Sequence, residues 1–549
     1  MSRWEVPAER PWFRHYPPGV RRTLEFPDVP VPRFLWDAAE RFPDNVATVF
    51  YGVRTTYREL ADYAQRFGAA LRGLGVEKGD RVAIMLPNCP HYLIAYYGAL
   101  HAGAVVAQVN PMYVESELEY LLRDSGAKAL VVFDTLFARA LTVRQRVGLK
   151  HVIVVSLGQP QATPGEGIHQ FLDLVAGAQP DPTLGRDLTG ADLAVLQYTG
   201  GTTGVSKGAM LTHANLVADC LLVREWFADT VPGQERFLTA LPLFHSYGMT
   251  SCMNMAVYLA SAQALLPKFD PDDVMRTIQD FQPTIFCGVP TMYVAVNHYP
   301  DAQEYNVRSI RSCVSGAAPL PVEVQSRFEE LTGGTLVEGY GLSEASPVTH
   351  CNPLVGLRKP GAIGVPLPST DCRIVDADTG QKVLGVGEVG ELCIRGPQVM
   401  SGYWNMPAET AEVLHDGWLH TGDIAKMDED GFFYIVDRKK DMIIAGGFNI
   451  YPRDVEEVLY QHPKVQEAAV AGVPDEYLGE SVKAYIVLKD GQTATAEEII
   501  DFCKLRIARY KVPRQVEFRA ALPKTAVGKV LRRILLDEEK ARAAGMADK

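Results

Sequence analysis

The sequence has no C-x-x-C pair among its nine scattered cysteines. That excludes the common zinc and dithiol motifs, and an odd number of cysteines does not close a disulfide framework, so a reducing cytosol is the simplest setting. No apolar run is long enough for a membrane span. The best candidate, residues 253–266, is interrupted by Asn254, Ser261 and Gln263 and reads as a buried helix or strand-turn. The N-terminus lacks the apolar core and small-residue cleavage site of a signal peptide. Nor is there an excess of positive charge: 54 Lys+Arg face 66 Asp+Glu, for a net charge of −12. Such a balance excludes a dedicated nucleic-acid coat while leaving room for a local cationic pocket that holds phosphates. With 47% apolar and 22% charged residues the chain is neither disordered nor fibrous, and 549 residues exceed what one hydrophobic core organises. At least two domains are expected.

What is present begins with an arm. Seven prolines in the first 32 residues exclude regular helix there. The arm also carries Trp4, Trp12, Phe13, Tyr16 and five arginines up to Arg22. It reads as an extended segment docked on its own domain, with a peripheral membrane contact as the second reading. Strands and helices then alternate: strand at 47–51, helix at 57–74, strand at 81–86, helix at 92–101, and further β-rich runs at 105–109, 129–133 and 151–155. This βαβα order with nearly continuous apolar strands predicts an α/β fold whose mostly parallel sheets are covered by helices. From about Gly361 short glycine-punctuated strands such as 371–375 and 390–394 predict a small β-rich subdomain. A boundary is expected at the polar stretch 437–440, dividing a large N-terminal domain (1–436) from a small α+β C-terminal domain (441–549). Between Lys504 and Arg533 there are ten Lys/Arg and one acid, Glu517. Such a run reads either as a solvated basic face or as a small mobile domain that closes over a polyanion.

The strongest local signal is Gln197-Tyr198-Thr199-Gly200-Gly201-Thr202-Thr203-Gly204-Val205-Ser206-Lys207-Gly208. An apolar run enters it, and a helix is expected around 215–223. Glycines free the backbone N–H groups to curl around an anion, while Thr199, Thr202, Thr203, Ser206 and Lys207 add donors, so the loop reads as phosphate-binding. It is not a Walker A loop, because Gly208 follows Lys207 where Ser or Thr would be needed. The stretch Gly204-Val205-Ser206-Lys207-Gly208 also matches the G-x-S-x-G elbow of hydrolases in an expected strand–turn–helix setting. A Ser206 hydrolase is therefore the rival of a different class, although an elbow has no use for the threonines upstream.

The loop occurs together with Tyr340-Gly341-Leu342-Ser343-Glu344, Thr421-Gly422-Asp423 and Pro523-Lys524-Thr525-Ala526-Val527-Gly528-Lys529. In this order the set resembles the adenylate-forming superfamily of acyl-CoA synthetases, luciferases and peptide-synthetase adenylation domains. The wording of 197–208, 417–423 and 436–441 is most similar to bacterial long-chain fatty acid–CoA ligases.

The resemblance implies a reaction in two halves: a fatty acid carboxylate attacks the α-phosphate of ATP, and CoA then attacks the acyl-adenylate. It assigns Thr199, Gly200, Gly201, Thr202, Thr203, Gly204 and Lys207 to the ATP phosphates and Glu344 to Mg²⁺. Gly316, Ala317, Gly339, Tyr340, Gly341 and Ser343 border the nucleotide, with Tyr340 against adenine. Asp423 and Arg438 take the ribose, Lys529 bridges the carboxylate and the α-phosphate, and His245 lies near the reacting carboxylate. Lys440 is implied as the hinge about which the C-terminal domain swings, and Gly446 and Gly447 as a surface passed by CoA. A homodimer in the cytosol, or at the inner face of the membrane, is the corresponding expectation. The pattern departs at one place: some long-chain members carry a Trp gate four residues after the histidine, where this chain has Met249. Medium-chain or aryl-CoA ligases and enzymes that load a carrier protein are the nearest rivals, and a non-catalytic binder of fatty acid and nucleotide is more distant.

Overall fold

The computed structural model describes residues 10–158, 165–199, 206–439, 441–445, 448–475, 478–525 and 528–547. By compactness the chain forms two units, Met1–Asp371 with Ile394–Leu419, and Cys372–Cys393 with His420–Lys549. The β-rich strands after Gly361 thus group largely with the C-terminal residues.

In the first unit the alternating sequence builds two large sheets. One has seven strands in the order Ile168–Gln170, His151–Val155, Ala129–Phe133, Arg81–Met85, Val105–Gln108, Leu193–Thr199 and Lys207–Thr212. All neighbours are parallel except the last pair. Val82 to Met85 and Ala129 to Val132 are fully buried, as strands covered on both faces require. The Tyr57–Gly73 helix that packs nearby starts at a capping box, in which Thr56 accepts from the Glu59 amide and Glu59 from the Thr56 amide.

The second sheet has nine strands, with an inner parallel run of Thr335–Gly341, Ser312–Ser315, Ile285–Gly288, Arg236–Thr239, Ala262–Leu265 and Val46–Phe50. Parallel strands end on the same edge. The segments after Thr239, Ser315 and Gly341 therefore emerge together, where ligands of open α/β sheets are usually held.

Residues 253–266 divide between a π-helical stretch Gly248–Asn254, a helical turn Met255–Tyr258 and the strand Ala262–Leu265. The N-terminal arm is docked on its own unit. Trp12 and Phe13 are buried, the Tyr16 hydroxyl donates to Pro366 O at 2.7 Å, and Arg21 forms an ion pair with Glu225 at 2.8 Å. Trp4 lies outside the described residues.

In the second unit, strands Phe448–Ile450, Ile443–Ala445, Gly479–Leu488 and Val465–Asp475 pair in that order, with Gln515–Phe518 parallel to Gly479–Leu488. The helices Pro452–Tyr460 and Ala496–Lys504 bury Val455, Leu459, Ile499 and Cys503 in a core of their own. All nine cysteines are free and buried. Among the described residues no helix is long and apolar enough to cross a membrane.

Candidate active site

The glycine-rich loop joins two antiparallel strands whose last register pair is Thr199 with Lys207. Gly200, Gly201, Thr202, Thr203 and Gly204 lie outside the described residues. The strand Lys207–Thr212 stands between the loop and the helix His213–Trp226, so the expected strand–turn–helix setting is corrected to a hairpin followed by a helix. Pairing with Leu193–Thr199 holds Lys207 extended, and the helix begins only where Thr212 and Asn215 cap it. The Ser206 hydroxyl donates its one proton to Thr199 O at 2.7 Å. A nucleophile elbow would need that proton directed to a base, so the hydrolase reading loses its support.

Glu344 sits on the short 3₁₀ turn Ser343–Ala345, just beyond the strand Thr335–Gly341. Its Oε1 accepts from the Tyr403 hydroxyl at 2.8 Å. Lys207 Nζ lies 5.1 Å from the centre of the same ring. Burial, and after it the charge of Glu344, push the Tyr403 phenol far above its ordinary range, so it remains a donor. Glu344 Oε2 has no hydrogen-bond partner among the described residues. A half-buried carboxylate with one oxygen fixed and one open suits magnesium, which takes few protein oxygens and keeps water and phosphate oxygens.

Tyr340 pairs in register with His350, their rings edge-on at 5.8 Å. The glycines on either side allow this strand to run close to its neighbours: a Cβ on Gly339 would stand 2.9 Å from Val314 Cγ1, and one on Gly341 2.1 Å from Pro347 O. Ser343 Oγ and Ser246 Oγ are 3.2 Å apart, which brings the Glu344 turn to the segment of His245. His245 is half-buried and its Nδ1 accepts from the Tyr247 amide at 3.3 Å. Asn88 anchors the preceding segment, donating to Leu241 O at 2.8 Å and accepting from the Leu243 amide at 2.9 Å. Gly316 faces the Tyr247 ring, where a Cβ would come within 3.0 Å, and Ala317 has a left-handed φ of 66°. Lys207, His245, Gly316, Ala317, Tyr340, Ser343 and Glu344 thus all belong to the first unit.

Asp423, Arg438 and Lys529 belong to the second. Asp423 is 3% exposed, is the register partner of Arg438, and lies 3.0 Å from its Nε. Lys529 follows Gly528, whose φ is 75°, in a turn closed by the Thr525 amide to Lys529 O at 2.8 Å and the Lys529 amide to Thr525 Oγ1 at 3.1 Å. Burial, then the Arg438 guanidinium, pull the Lys529 ammonium down to about 8, against the attraction of Asp423 and Asp441. Lys440, Gly446 and Gly447 lie outside the described residues.

Sequence reasoning passed over several residues. Tyr403 is one, and its hydroxyl partner is 59 positions away. Glu391 is another. Buried, it accepts from the Gly422 amide at 3.0 Å and pairs with Lys439 at 3.4 Å, bracing the Thr421-Gly422-Asp423 turn. A lone acid in the apolar run Gly390-Glu391-Leu392-Cys393-Ile394 was a readable signal, because unpaired buried charge is disfavoured. A third is Asp437, which accepts from the Arg438 and Arg453 amides at 2.7 and 2.8 Å and is pushed by burial up to about 6.

This combination of parallel-sheet edge, glycine-rich hairpin and clustered acid, lysine and aromatic defines a nucleotide-dependent acyl-activating enzyme, and the chain belongs to the AMP-binding enzyme family. The family model matches residues 35–404, and the model of the AMP-binding enzyme C-terminal domain matches 454–529. The chain is 48% identical over 552 residues to a long-chain-fatty-acid–CoA ligase of Bacillus subtilis (strain 168), covering 97% of this chain and 98% of the relative. It is 40% identical to a protein of the same description in Salmonella typhimurium, over 98% and 99% of the two chains. Among solved structures it resembles the anthranilate CoA ligase AuaEII in complex with anthranoyl-AMP, with a TM-score of 0.86, 30% identity and coverage of 95% of this chain and 99% of the other.

Proposed function

We propose that the chain is an ATP-dependent long-chain fatty acid–CoA ligase that works through an acyl-adenylate and releases AMP and pyrophosphate. The observation that carries the reading is the cluster in which His245, Tyr340 and Glu344 follow one edge of the nine-stranded sheet while Lys207, from the seven-stranded sheet, meets Glu344 across the Tyr403 ring, within a chain closely similar to ligases of that description.

A carboxylate is a poor acyl donor, since oxide would have to leave. Joining it to AMP makes a good leaving group, so the first task is to bring two anions together. Lys207 and the glycine-rich loop hold the β- and γ-phosphates, and Tyr340 stacks on the adenine. Asp423 accepts from the ribose hydroxyls beside Arg438. Glu344 would hold magnesium, which would supply charge to neutralise the phosphates. Lys529 spans the attacking carboxylate and the α-phosphate and stabilises the charge they share. His245 orients the carboxylate, and the small residues Gly316 and Ala317 leave room for an extended acyl chain.

For the second half-reaction the residues from 441 onward swing about Lys440, withdrawing Lys529 and bringing Gly446 and Gly447 to the path of CoA. Nine free buried thiols suit the cytosol, where both co-substrates occur.

The test is carboxylate-dependent ATP–pyrophosphate exchange with magnesium and no CoA, across acids from acetate to oleate. Exchange rising with chain length is expected. A maximum at short or aromatic acids would move the substrate to the rival ligases, and no exchange with any acid would remove the adenylation reading.

A further inference from the structure

The residues around Tyr403 form a strap between two parts of the nucleotide site. At one end the Met400 amide donates to Glu344 O at 2.8 Å. Beyond it the strap runs antiparallel to the strand that begins at Lys207: Ser401 N to Met210 O at 3.0 Å, Met210 N to Gly402 O at 2.8 Å, and Trp404 N to Gly208 O at 2.8 Å. Gly402, with φ of 136° and a Thr410 methyl 2.7 Å from where a Cβ would be, lets the strap turn there. The Tyr403 amide donates to Thr410 Oγ1 at 2.9 Å, which fixes where the side chain leaves the strap.

From this frame one side chain meets both charged groups. Its hydroxyl donates to Glu344 Oε1, and its ring face lies under Lys207 Nζ. We infer that Tyr403 is a positioning residue of the adenylation site, setting the Glu344 carboxylate for the metal through its hydroxyl and Lys207 for the phosphates through its ring. The inference rests on the proposed ATP-dependent reading. It goes beyond it by giving two separable tasks to two ends of one side chain: the hydroxyl occupies Oε1 alone, and the ring holds the ammonium without neutralising it, as an acid would.

The two ends are separated by Tyr403→Phe, which keeps the ring, and Tyr403→Leu, which removes both. The full chain is titrated with ATP in the absence of any acid, once without metal and once with Mn²⁺ followed by electron paramagnetic resonance. Tyr403→Phe should weaken Mn²⁺ capture in the ATP complex by about tenfold, the scale of a lost hydrogen bond to a charged group, while metal-free ATP binding stays as in the parent. Tyr403→Leu should weaken both. In a Glu344→Gln background, Tyr403→Phe should have no further effect on Mn²⁺, a coupling that mere loss of packing does not produce. Parent-like Mn²⁺ capture in Tyr403→Phe, or an equal loss with and without metal, overturns the inference. A parent that binds no ATP at all fails earlier, at the ligase reading itself.

Discussion

Arg438 holds its Nε 3.0 Å from Asp423 Oδ1 across two paired strands, with the acid almost fully buried and the base one-third exposed. The pair closes one side of the turn that Glu391 braces from the other. Removing the guanidinium leaves a buried carboxylate short of a strong donor. Arg438→Ala should therefore lower both ATP affinity and stability, the latter by about 1–3 kcal/mol in urea unfolding. In the double variant with Asp423→Asn the stability loss should be less than additive.

In the role proposed for it, Lys529 acts as an ammonium on shared negative charge, and that ammonium is already drawn down to about 8. In the free enzyme, kcat/KM for adenylation should fall as pH rises through about 8. Thioester formation from ready-made acyl-adenylate should not follow that limb. Lys529→Arg should displace it upward, and Lys529→Ala should slow adenylation by about 10²-fold or more. Rapid-quench measurement of each half-reaction separates these outcomes.

Ser206→Ala removes one hydrogen bond to Thr199 O and no nucleophile. Exchange activity should drop by no more than about fivefold, on the scale of ~1 kcal/mol for a neutral bond. Complete loss, together with ATP-independent thioester cleavage by the parent, would restore the hydrolase.

Gly341→Ala would place a methyl 2.1 Å from the carbonyl oxygen of Pro347, a backbone atom with little freedom to yield. Destabilisation of about 1–3 kcal/mol is expected. The Ser343–Ala345 turn should shift with it, so thermal unfolding and Mn²⁺ capture should both register the change.

Asp437 has a folded-state value of about 6, above the ordinary carboxylate, because burial outweighs its amide donors and Arg532. The folded form thus binds a proton more tightly than the unfolded form. Its contribution to stability is full below about pH 4 and is lost as pH rises through about 6. Asp437→Asn should flatten the stability profile of the full chain over that window.

The elements legible in the sequence were those whose partners are local or whose burial is uniform. The helix from Tyr57 carries its own cap, and Ala129–Phe133 and His151–Val155 are short apolar runs that only a covered sheet accommodates. The strand Lys207–Thr212 was missed because Lys-Gly-Ala-Met has weak β preference and is held by its partner rather than by itself. The π-helical turn Gly248–Asn254 has no periodicity that distinguishes it from an ordinary buried helix. At the site, the legible residues were those whose spacing forms a motif. Tyr403 and Asn88 act on partners 59 to 196 positions away and have no local pattern to betray them. An isolated acid in an apolar strand is the exception, readable from solvation alone.

The nine buried thiols have a consequence for a reaction whose second substrate is itself a thiol. Burial pushes Cys89 and Cys393 up to about 12 and Cys503 to about 11, far from the thiolate form that exchanges disulfides. With all nine thiols buried, oxidised CoA meets no exposed sulfur on this protein with which to form a mixed disulfide. A maleimide added during turnover would remove the acyl acceptor alone, halting the reaction at the adenylate with the catalyst intact.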